Sequence, residues 1–361
     1  MRVLFTVLDA LPARHVGPDH TPVLDDLARS GARARAGARA VMTSATYPNH
    51  ATFVTGTEPA RHGIGTNWVP ETGRVVPAWK RGPDGRTLFD ACRDAGRSSA
   101  AVYGDQHLVG VTGAGAADRH WPPDGVPPDG CALDAMGYLD DRDTVGQIVQ
   151  VLDDGPDLVV CQINGPDTAA HLFGPDSEGA IHGYRATDAL LATIREHVAW
   201  DDTVWIVVSD HDQETVTERE PIDLQSEIGA RGLALFALPE GNAALVCGDG
   251  AALERQWIDA VAGIEGTARF ALADPRLECV LAWAEPGRAF GFTGTPTRHG
   301  THGGPRTRAQ VAVVTGGHPA VAPLGRAVAD AAVTAADWAP TIAALLDLEL
   351  PGATGRALSR P

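Results

Sequence analysis

The chain has 361 residues, of which 44% are hydrophobic and 21% charged, as expected for a globular protein with one large domain or a core plus an insertion. A formal net charge of −17 argues against nucleic-acid polymers and anionic membranes as partners. A small anionic substrate stays open, because bound metal ions invert a local field. No apolar run has the length of a signal peptide or a transmembrane helix, so we expect a cytoplasmic protein.

The cysteines support the same expectation. Their number is odd, they are widely scattered, and no two have the spacing of a metal site. We therefore predict free, mostly buried thiols in a reducing compartment. The five residues are Cys92, Cys131, Cys161, Cys247 and Cys279.

Buried-strand patterns alternate with helical patterns along most of the chain. Apolar runs at 3–8, 158–163 and 203–208 each end in a polar cluster, and helical patterns follow. This alternation predicts an α/β fold with a doubly wound, mostly parallel sheet. Further helices are predicted at 21–31, 87–95, 143–153, 183–200 and 335–346, further strands at 99–103 and 311–314, and loops at 70–85 and 114–130.

The pattern changes between about 224 and 296, where strands no longer end in polar clusters. Strands are predicted there at 233–238, 243–247, 268–272 and 279–284, with a helix at 251–262. We interpret 224–296 as a small α+β cap inserted into a core formed by 1–223 and 297–361.

The stretch 41–67 is rich in hydroxyl groups. Thr43, Ser44 and Thr46 precede a short helical pattern, and a helix N-terminus directs unpaired N–H groups at a bound anion. Any of the three hydroxyls is a candidate nucleophile. The alternative is that Ser44 or Thr46 only caps the helix.

Six acidic and imidazole side chains carry the predicted chemistry. Most follow buried strands, and the carboxyl ends of parallel strands meet at one edge of a sheet. Taken alone, each of these residues can be explained as a loop cap or an exposed histidine. His299 is an alternative to His302 as the candidate ligand in its loop. Crowded together they require compensation, and a pair of divalent cations supplies it. Asp and His ligands at about 2.0–2.2 Å suit zinc, with manganese or iron as alternatives. The six are Asp9, Asp167, His171, Asp210, His211 and His302.

Several segments resemble the alkaline phosphatase superfamily, most closely its nucleotide pyrophosphatase/phosphodiesterase branch and the related phosphonoacetate hydrolase. The resemblance runs nearly from end to end and includes SATYPNHATFVTG, PARHGI followed by Asn67, DTAAHLFGP, VVSDHD, the Gly-Thr-His-Gly-Gly loop and DWAPTIAALLDLELP. It implies an alkaline phosphatase-like core.

The resemblance also implies roles for individual residues. One metal ion would be bound by Asp167, His171 and His302, and the other by Asp9, Asp210, His211 and the Thr46 oxygen. Thr46 occupies the nucleophile position, with Ser44 as its rival, and the reaction would pass through a phosphothreonine. Asn67 occupies the position that donates a hydrogen bond to a phosphoryl oxygen. One departure is that Asp212-Gln213 follows the Asp-His pair, where related proteins usually have Gly.

The implied function is two-metal hydrolysis of a small phosphate ester by a phosphodiesterase or nucleotide pyrophosphatase. Tyr47 and Trp68 would be placed to stack on a base or leaving group. The alternatives are a phosphonoacetate-type C–P hydrolase, which needs Arg61, Arg81 or Arg298 as a carboxylate clamp, a phosphomonoesterase, and a catalytically silent binding protein.

Overall fold

A computed structural model describes residues 1–35, 37–248 and 253–358. The helices within these ranges are α1 (Pro22–Ser30), α2 (Thr46–Thr55), α3 (Pro59–His62), α4 (Ala78–Arg81), α5 (Leu88–Ala95), α6 (Leu108–Val111), α7 (Asp141–Asp154), α8 (Gly165–Phe173), α9 (Glu178–His197), α10 (Leu224–Ala230), α11 (Arg255–Asp259), α12 (Val321–Asp330) and α13 (Trp338–Leu346). The strands are β1 (Arg2–Leu8), β2 (Ala32–Arg33), β3 (Ala38–Arg39), β4 (Trp68–Glu71), β5 (Arg74–Pro77), β6 (Ser99–Tyr103), β7 (Arg119–Trp121), β8 (Leu158–Ile163), β9 (Thr203–Val208), β10 (Glu214–Thr215), β11 (Leu235–Glu240), β12 (Ala243–Gly248), β13 (Ile264–Phe270), β14 (Glu278–Ala284), β15 (Gly300–Thr301), β16 (Ala309–Gln310), β17 (Ala312–Thr315) and β18 (Val333–Thr334).

The central sheet confirms the predicted α/β fold. Its strand order is β2-β17-β9-β1-β8-β6-β7, with β9, β1, β8, β6 and β7 mutually parallel. The strand β17 runs antiparallel to β9, and β2 runs antiparallel to β17 at the edge. Every residue of β8 and β9 is buried, as expected for strands covered on both faces.

Two apolar layers enclose this sheet, and β1 shows why. Val3, Phe5 and Val7 point to one face and pack with α2, α5 and α13, whereas Leu4 and Leu8 point to the other and pack with α1, α7 and α9. The period of two along a strand thus supplies both layers of a doubly wound fold. None of the helices in the described ranges is both long and apolar enough to cross a membrane.

Two segments predicted as loops contain regular structure instead. Segment 70–85 contributes to the β4–β5 hairpin and to α4, and segment 114–130 contains β7. Both predictions were wrong because prolines and glycines dominate these segments, whereas the strands are stabilised by pairing, β7 with the distant β6.

A second sheet lies within residues 224–296, which we call the cap segment. Its strands β11, β12, β14 and β13 are antiparallel in that order. The helix α10 precedes it and was not predicted, and the helix predicted at 251–262 is α11, its first two positions lying outside the described residues. The division into core and cap stays a prediction.

The cysteines correct one prediction. Cys247 and Cys279 lie opposite each other on β12 and β14, with Cα atoms 4.2 Å apart, and form a disulfide. Cys92, Cys131 and Cys161 are free, and Cys131 is only half-buried. Spacing along the chain did not reveal the pair because antiparallel register brings the two thiols together. Cysteine usage therefore no longer supports a reducing compartment, and the cytoplasmic location stays a prediction.

The turn between β11 and β12 anchors the cap segment to the core. The main-chain N–H of Asn242 donates to His302 O at 2.7 Å, and Asn242 Oδ1 accepts from the N–H of Gly304 at 2.5 Å. Asn242 Nδ2 also donates to Glu214 Oε1 at 2.7 Å, and the side chain is fully buried. One amide thus bonds to two segments of the core.

Replacing this amide tests the anchor. We expect Asn242→Ala to lower the free energy of unfolding by about 2 kcal/mol, because it leaves the buried Gly304 N–H without its acceptor and removes one of the two donors to Glu214 Oε1, the other being Arg306. Urea denaturation measures the loss. The control Gln150→Ala removes an exposed amide on α7 and should change stability by less than about 0.5 kcal/mol. Equal stability of the two variants would contradict the assigned anchor.

Candidate metal centre

The central strands bring the predicted acidic residues together. Asp9 follows β1 directly, and Asp210 and His211 follow β9 after one serine. Asp167 lies in the first turn of α8, which follows β8, and His171 lies one helical turn later. Because β8, β1 and β9 are parallel neighbours, their carboxyl ends place these residues at one sheet edge.

The imidazoles close the cluster. His211 Nε2 lies 3.4 Å from Asp210 Oδ2 and 3.7 Å from Asp9 Oδ1. The His302 ring stacks on the His211 ring at 4.2 Å and lies 5.1 Å from that of His171. His171 Nε2 is 3.5 Å from Asp167 Oδ1. All six residues predicted from strand ends therefore share one site.

In several of these side chains, a hydrogen bond to the protein occupies one atom and leaves another atom free to bind a metal ion. His171 Nδ1 donates to Gly300 O at 2.8 Å and His211 Nδ1 to Asp212 O at 3.1 Å, so each presents Nε2 to the site. Asp9 Oδ2 accepts from Gln162 at 2.7 Å, and Asp210 Oδ1 accepts from the Ala10 N–H at 2.9 Å. Each ring or carboxylate is fixed from behind, as metal ligands commonly are.

The charges of the cluster are uncompensated by protein groups. Burial, followed by the nearby charges of Asp210 and Asp167, raises the pKa of Asp9 well above its usual range. Burial lowers the pKa values of His171 and His302, helped at His302 by His211, so both rings favour the neutral form that binds metals. The fully buried Asp210 Oδ2 has no hydrogen-bond partner among the described residues. These donors fit divalent cations.

Two groups of donor atoms are compact enough to hold an ion. The atoms within each group lie within 4.8 Å of one another, and the groups are Asp167, His211 and His302, and Asp9, His50 and Asp210. His50, on α2, was not among the predicted ligands. Its Nδ1 donates to Thr46 O at 2.9 Å and lies 3.6 Å from Asp210 Oδ2, and burial lowers its pKa.

The three candidate hydroxyls have different surroundings. Thr43 Oγ1 donates to Gly65 O at 2.7 Å and Ser44 Oγ to Gly304 O at 2.6 Å, and both side chains are fully buried. Thr46 Oγ1 instead faces the cluster, 3.2 Å from His211 Nε2 and 3.4 Å from Asp9 Oδ1. The helix α2 has Ala45 at its N-cap and no side-chain cap within the described structure, so the capping alternative was wrong.

A cavity of about 210 Å³ opens beside Thr46. Its lining includes Asn67, and the N–H of Asn67 donates to Glu240 Oε2 at 2.7 Å. Glu240 belongs to β11, so the cap segment contributes directly to the wall. Burial raises the pKa of Glu240 to about 7. The lining residues are Thr46, Tyr47, Asn67, Asp105, Met136, Tyr138, Asn164, Asp167, His171, Pro239, Glu240, Gly241, Arg298 and His302.

Several lining residues were missed from the sequence. Asp105, the polar neighbour of Tyr47, was not assigned to the site, and burial followed by its carboxylate raises the pKa of the Tyr47 phenol. Asp105 follows β6, so the strand-end rule would have found it. Tyr138 and Glu240 carry no comparable signal, because they lie in a loop and in an ordinary cap strand.

The other residues considered from the sequence differ in their positions relative to this cavity. Trp68 is 45% exposed and does not line the cavity. Arg81 donates to Asp84 and lines a different cavity, whereas Arg298 lines this one. The Asp212 carboxylate is paired with Arg14 at 2.6 Å, while the Asp212 main-chain oxygen orients His211.

Comparison with known proteins extends this result. The family model "Type I phosphodiesterase / nucleotide pyrophosphatase" matches residues 3–278. The human ectonucleotide pyrophosphatase/phosphodiesterase family member 7 is 27% identical over 217 residues, which are 55% of this chain and 45% of that protein. A venom phosphodiesterase of Macrovipera lebetinus is 28% identical over 169 residues, 44% of this chain and 18% of that protein. The chain thus matches less than half the length of either relative.

Solved structures with low sequence identity share the fold. Murine ectonucleotide pyrophosphatase/phosphodiesterase 5 superposes with a TM-score of 0.74 at 18% identity, covering 98% of this chain and 97% of that one. Phosphonoacetate hydrolase from Sinorhizobium meliloti, in complex with phosphonoformate, gives 0.71 at 18% identity with 95% of both chains covered. The match of the family model over most of the chain shows that this protein belongs to the type I phosphodiesterase/nucleotide pyrophosphatase family.

Proposed function

We propose that this protein hydrolyses small phosphodiesters or nucleotide pyrophosphates with two divalent metal ions, using Thr46 as the nucleophile. The observation that carries the proposal is the surroundings of the Thr46 hydroxyl. Of the three candidate hydroxyls it alone lines the cavity, at the edge of a buried Asp and His cluster. Family membership and the murine relative, one of whose structures is an inactive variant in complex with AMP, support this substrate class.

We assign the metal ligands by the division that the resemblance implies, in which His211 belongs with Asp9 and Asp210 and not with the compact group of Asp167 and His302. Asp167, His171 and His302 would hold one ion, and Asp9, Asp210, His211 and the Thr46 oxygen the other. Zinc suits this mixture of imidazole and carboxylate. Bound there, divalent ions would lower the pKa values of the Thr46 hydroxyl and of a water molecule and offset phosphoryl charge.

The residues of the chain then account for the chemistry. The Thr46 oxygen forms a bond to phosphorus as the bond to the leaving alcohol breaks, which leaves a phosphothreonine and releases the alcohol. A water molecule cleaves the phosphothreonine and restores the hydroxyl, giving a phosphate monoester. Asn67 also lines the cavity, and in this proposal its amide would donate to a nonbridging oxygen of the phosphoryl group.

The cavity favours a small substrate. Its volume of about 210 Å³ is below the roughly 300–1,000 Å³ of sites that enclose drug-sized ligands. It accepts a phosphoryl group with part of one substituent, while the remainder extends past the exposed Arg298. A phosphonate bearing a carboxylate is the second candidate, because Arg298 lines the cavity as the clamp that this reaction needs.

Turnover of three test substrates distinguishes the candidate functions. We expect zinc-loaded protein to show its highest kcat/KM with bis(p-nitrophenyl) phosphate, lower values with p-nitrophenyl phosphate, and less still with phosphonoacetate. Release of p-nitrophenol or of phosphate measures turnover. Preference for phosphonoacetate, abolished by Arg298→Ala, would assign the second candidate. Absence of turnover of all three substrates by protein carrying two ions per chain would favour the binding-protein alternative.

The nucleophile is tested by truncation. Thr46→Ala should lower kcat with the diester at least about a thousandfold, since the group that forms the covalent intermediate is lost. Metal content should stay near two ions per chain, as measured by elemental analysis. Ser44→Ala is the matched control and should keep most of the activity, because the Ser44 hydroxyl bonds within the protein. The opposite ranking of these two variants would transfer the role to Ser44.

Glu240 gives the metal-free protein a distinct pH dependence. Its pKa is raised from 4.5 to about 7 in the folded state, so folding takes up a proton between these values. Stability from the protonated form is present below about pH 4.5 and is lost as pH rises through about 7. Glu240→Gln keeps an acceptor for the Asn67 N–H and should be more stable than the wild type at pH 8 by up to about 3 kcal/mol.

Urea denaturation with EDTA at pH 5 and pH 8 measures this difference. The gain of the variant over the wild type should be much larger at pH 8 than at pH 5. A gain that does not change with pH would mean that Glu240 does not titrate between these values.

A further inference from the structure

The segment that departs from related sequences, Asp212-Gln213, contacts a predicted metal ligand directly. Gln213 Nε2 donates to Asp167 Oδ1 at 2.6 Å and lies 3.2 Å from the main-chain oxygen of the same residue. Both contacted atoms can only accept, so the amide nitrogen must face them. Gln213 is 2% exposed, and Asp167 is buried beside it.

We propose that Gln213 is a positioning residue that orients the Asp167 carboxylate for one of the two metal ions. The bond uses one of about four lone-pair directions of the carboxylate and leaves the others open toward the cavity. Gln162 bonds to Asp9 in the same way, at 2.7 Å. The two ligand carboxylates are therefore held by equivalent amide donors, although their glutamines lie on different segments. This inference rests on the metal centre of the proposed function.

Hydrogen bonds with neighbouring residues fix the main chain at Gln213. Its main-chain N–H donates to Asp212 Oδ1 at 2.7 Å, and the Asp212 carboxylate is held by Arg14 through contacts of 2.7 and 2.6 Å. The N–H of Asp212 donates to Thr307 O at 2.8 Å. Glycine in place of Asp212 would lack the carboxylate that joins Arg14 to Gln213.

The neighbouring loop provides room for this amide. A Cβ added at Gly300 would overlap Gln213 Oε1 and the main-chain oxygen of Ala170. The main-chain oxygen of Gly300 accepts a hydrogen bond from His171 Nδ1. Gln213 therefore lies between the Asp167 carboxylate and the loop that orients His171, in contact with the supports of two ligands of the same predicted ion.

Zinc binding tests the role without relying on activity. Gln213→Met preserves length and volume but cannot donate, so we expect one of the two zinc ions to bind about 10- to 100-fold more weakly. Titration with ZnCl2 against a fluorescent chelator measures both affinities. The second ion should bind as in the wild type. Thr341→Val is the control, since it removes the buried bond from Thr341 Oγ1 to Asp337 O at a residue that does not line the cavity.

The effect of zinc on Tm distinguishes a residue that positions a metal ligand from one that only stabilises the fold. For Gln213→Met, the increase in Tm on adding zinc to EDTA-treated protein should be smaller than in the wild type, whereas Thr341→Val should lower Tm equally with and without zinc. Arg14→Gln, at a half-exposed residue, provides a milder variant and should weaken the same ion by less than Gln213→Met. Unchanged affinity for both ions in Gln213→Met would overturn the inference. Failure of the wild type to bind two ions would instead overturn the proposed function.

Discussion

The structure depends on one electrostatic constraint, the burial of three carboxylates at the same sheet edge. Asp9, Asp167 and Asp210 are almost fully shielded from water, and within the described residues histidine rings, but no lysine or arginine, lie within 4 Å of their oxygens. An uncompensated buried charge costs several kcal/mol, so this arrangement persists only if something of opposite charge completes it. The divalent cations of the proposed function would do so and would use the neutral imidazoles as further ligands. Substrate binding and metal binding would then be coupled, because the same charges that neutralise the carboxylates would attract a phosphoryl group.

The fold meets this constraint by supporting each carboxylate from behind. Asp9 is held by a glutamine amide, Asp210 by main-chain N–H groups of Ala10 and His211, and Asp167 by Gln213. These donors come from the sheet and from the segment that follows β9, not from the cavity. A rigid parallel sheet is suited to this task, because the ends of its buried strands have little freedom to move apart. The residues that carry chemistry are thus fixed before any ligand arrives.

The sequence was informative where structure is local. The strands β1, β8 and β9 are continuous apolar runs, so the polar residues that follow them marked the site without knowledge of the fold. Features that depend on pairing between strands were missed, including the local β4–β5 hairpin and the disulfide that joins Cys247 and Cys279 across two strands. Glu240 belongs to the same class. Its role as a wall of the cavity follows from how the cap segment packs on the core, which no periodicity within β11 indicates.

The cap segment is joined to the centre through the loop that carries His302. Ser44 and Gly303 exchange two main-chain hydrogen bonds of 3.0 Å, and on the other side of this loop Asn242 bonds to His302 O and to the Gly304 N–H. The loop is therefore fixed between the turn that leads to Thr46 and the cap. A Cβ at Gly303, whose φ is +114°, would overlap Glu240 O, so the close contact itself requires glycine. Any movement of the cap segment that broke these bonds would also displace His302, one of the proposed metal ligands. Because these bonds join the cap segment to the loop of His302, we expect the cap segment to stay in place as a fixed wall of the cavity when substrate enters.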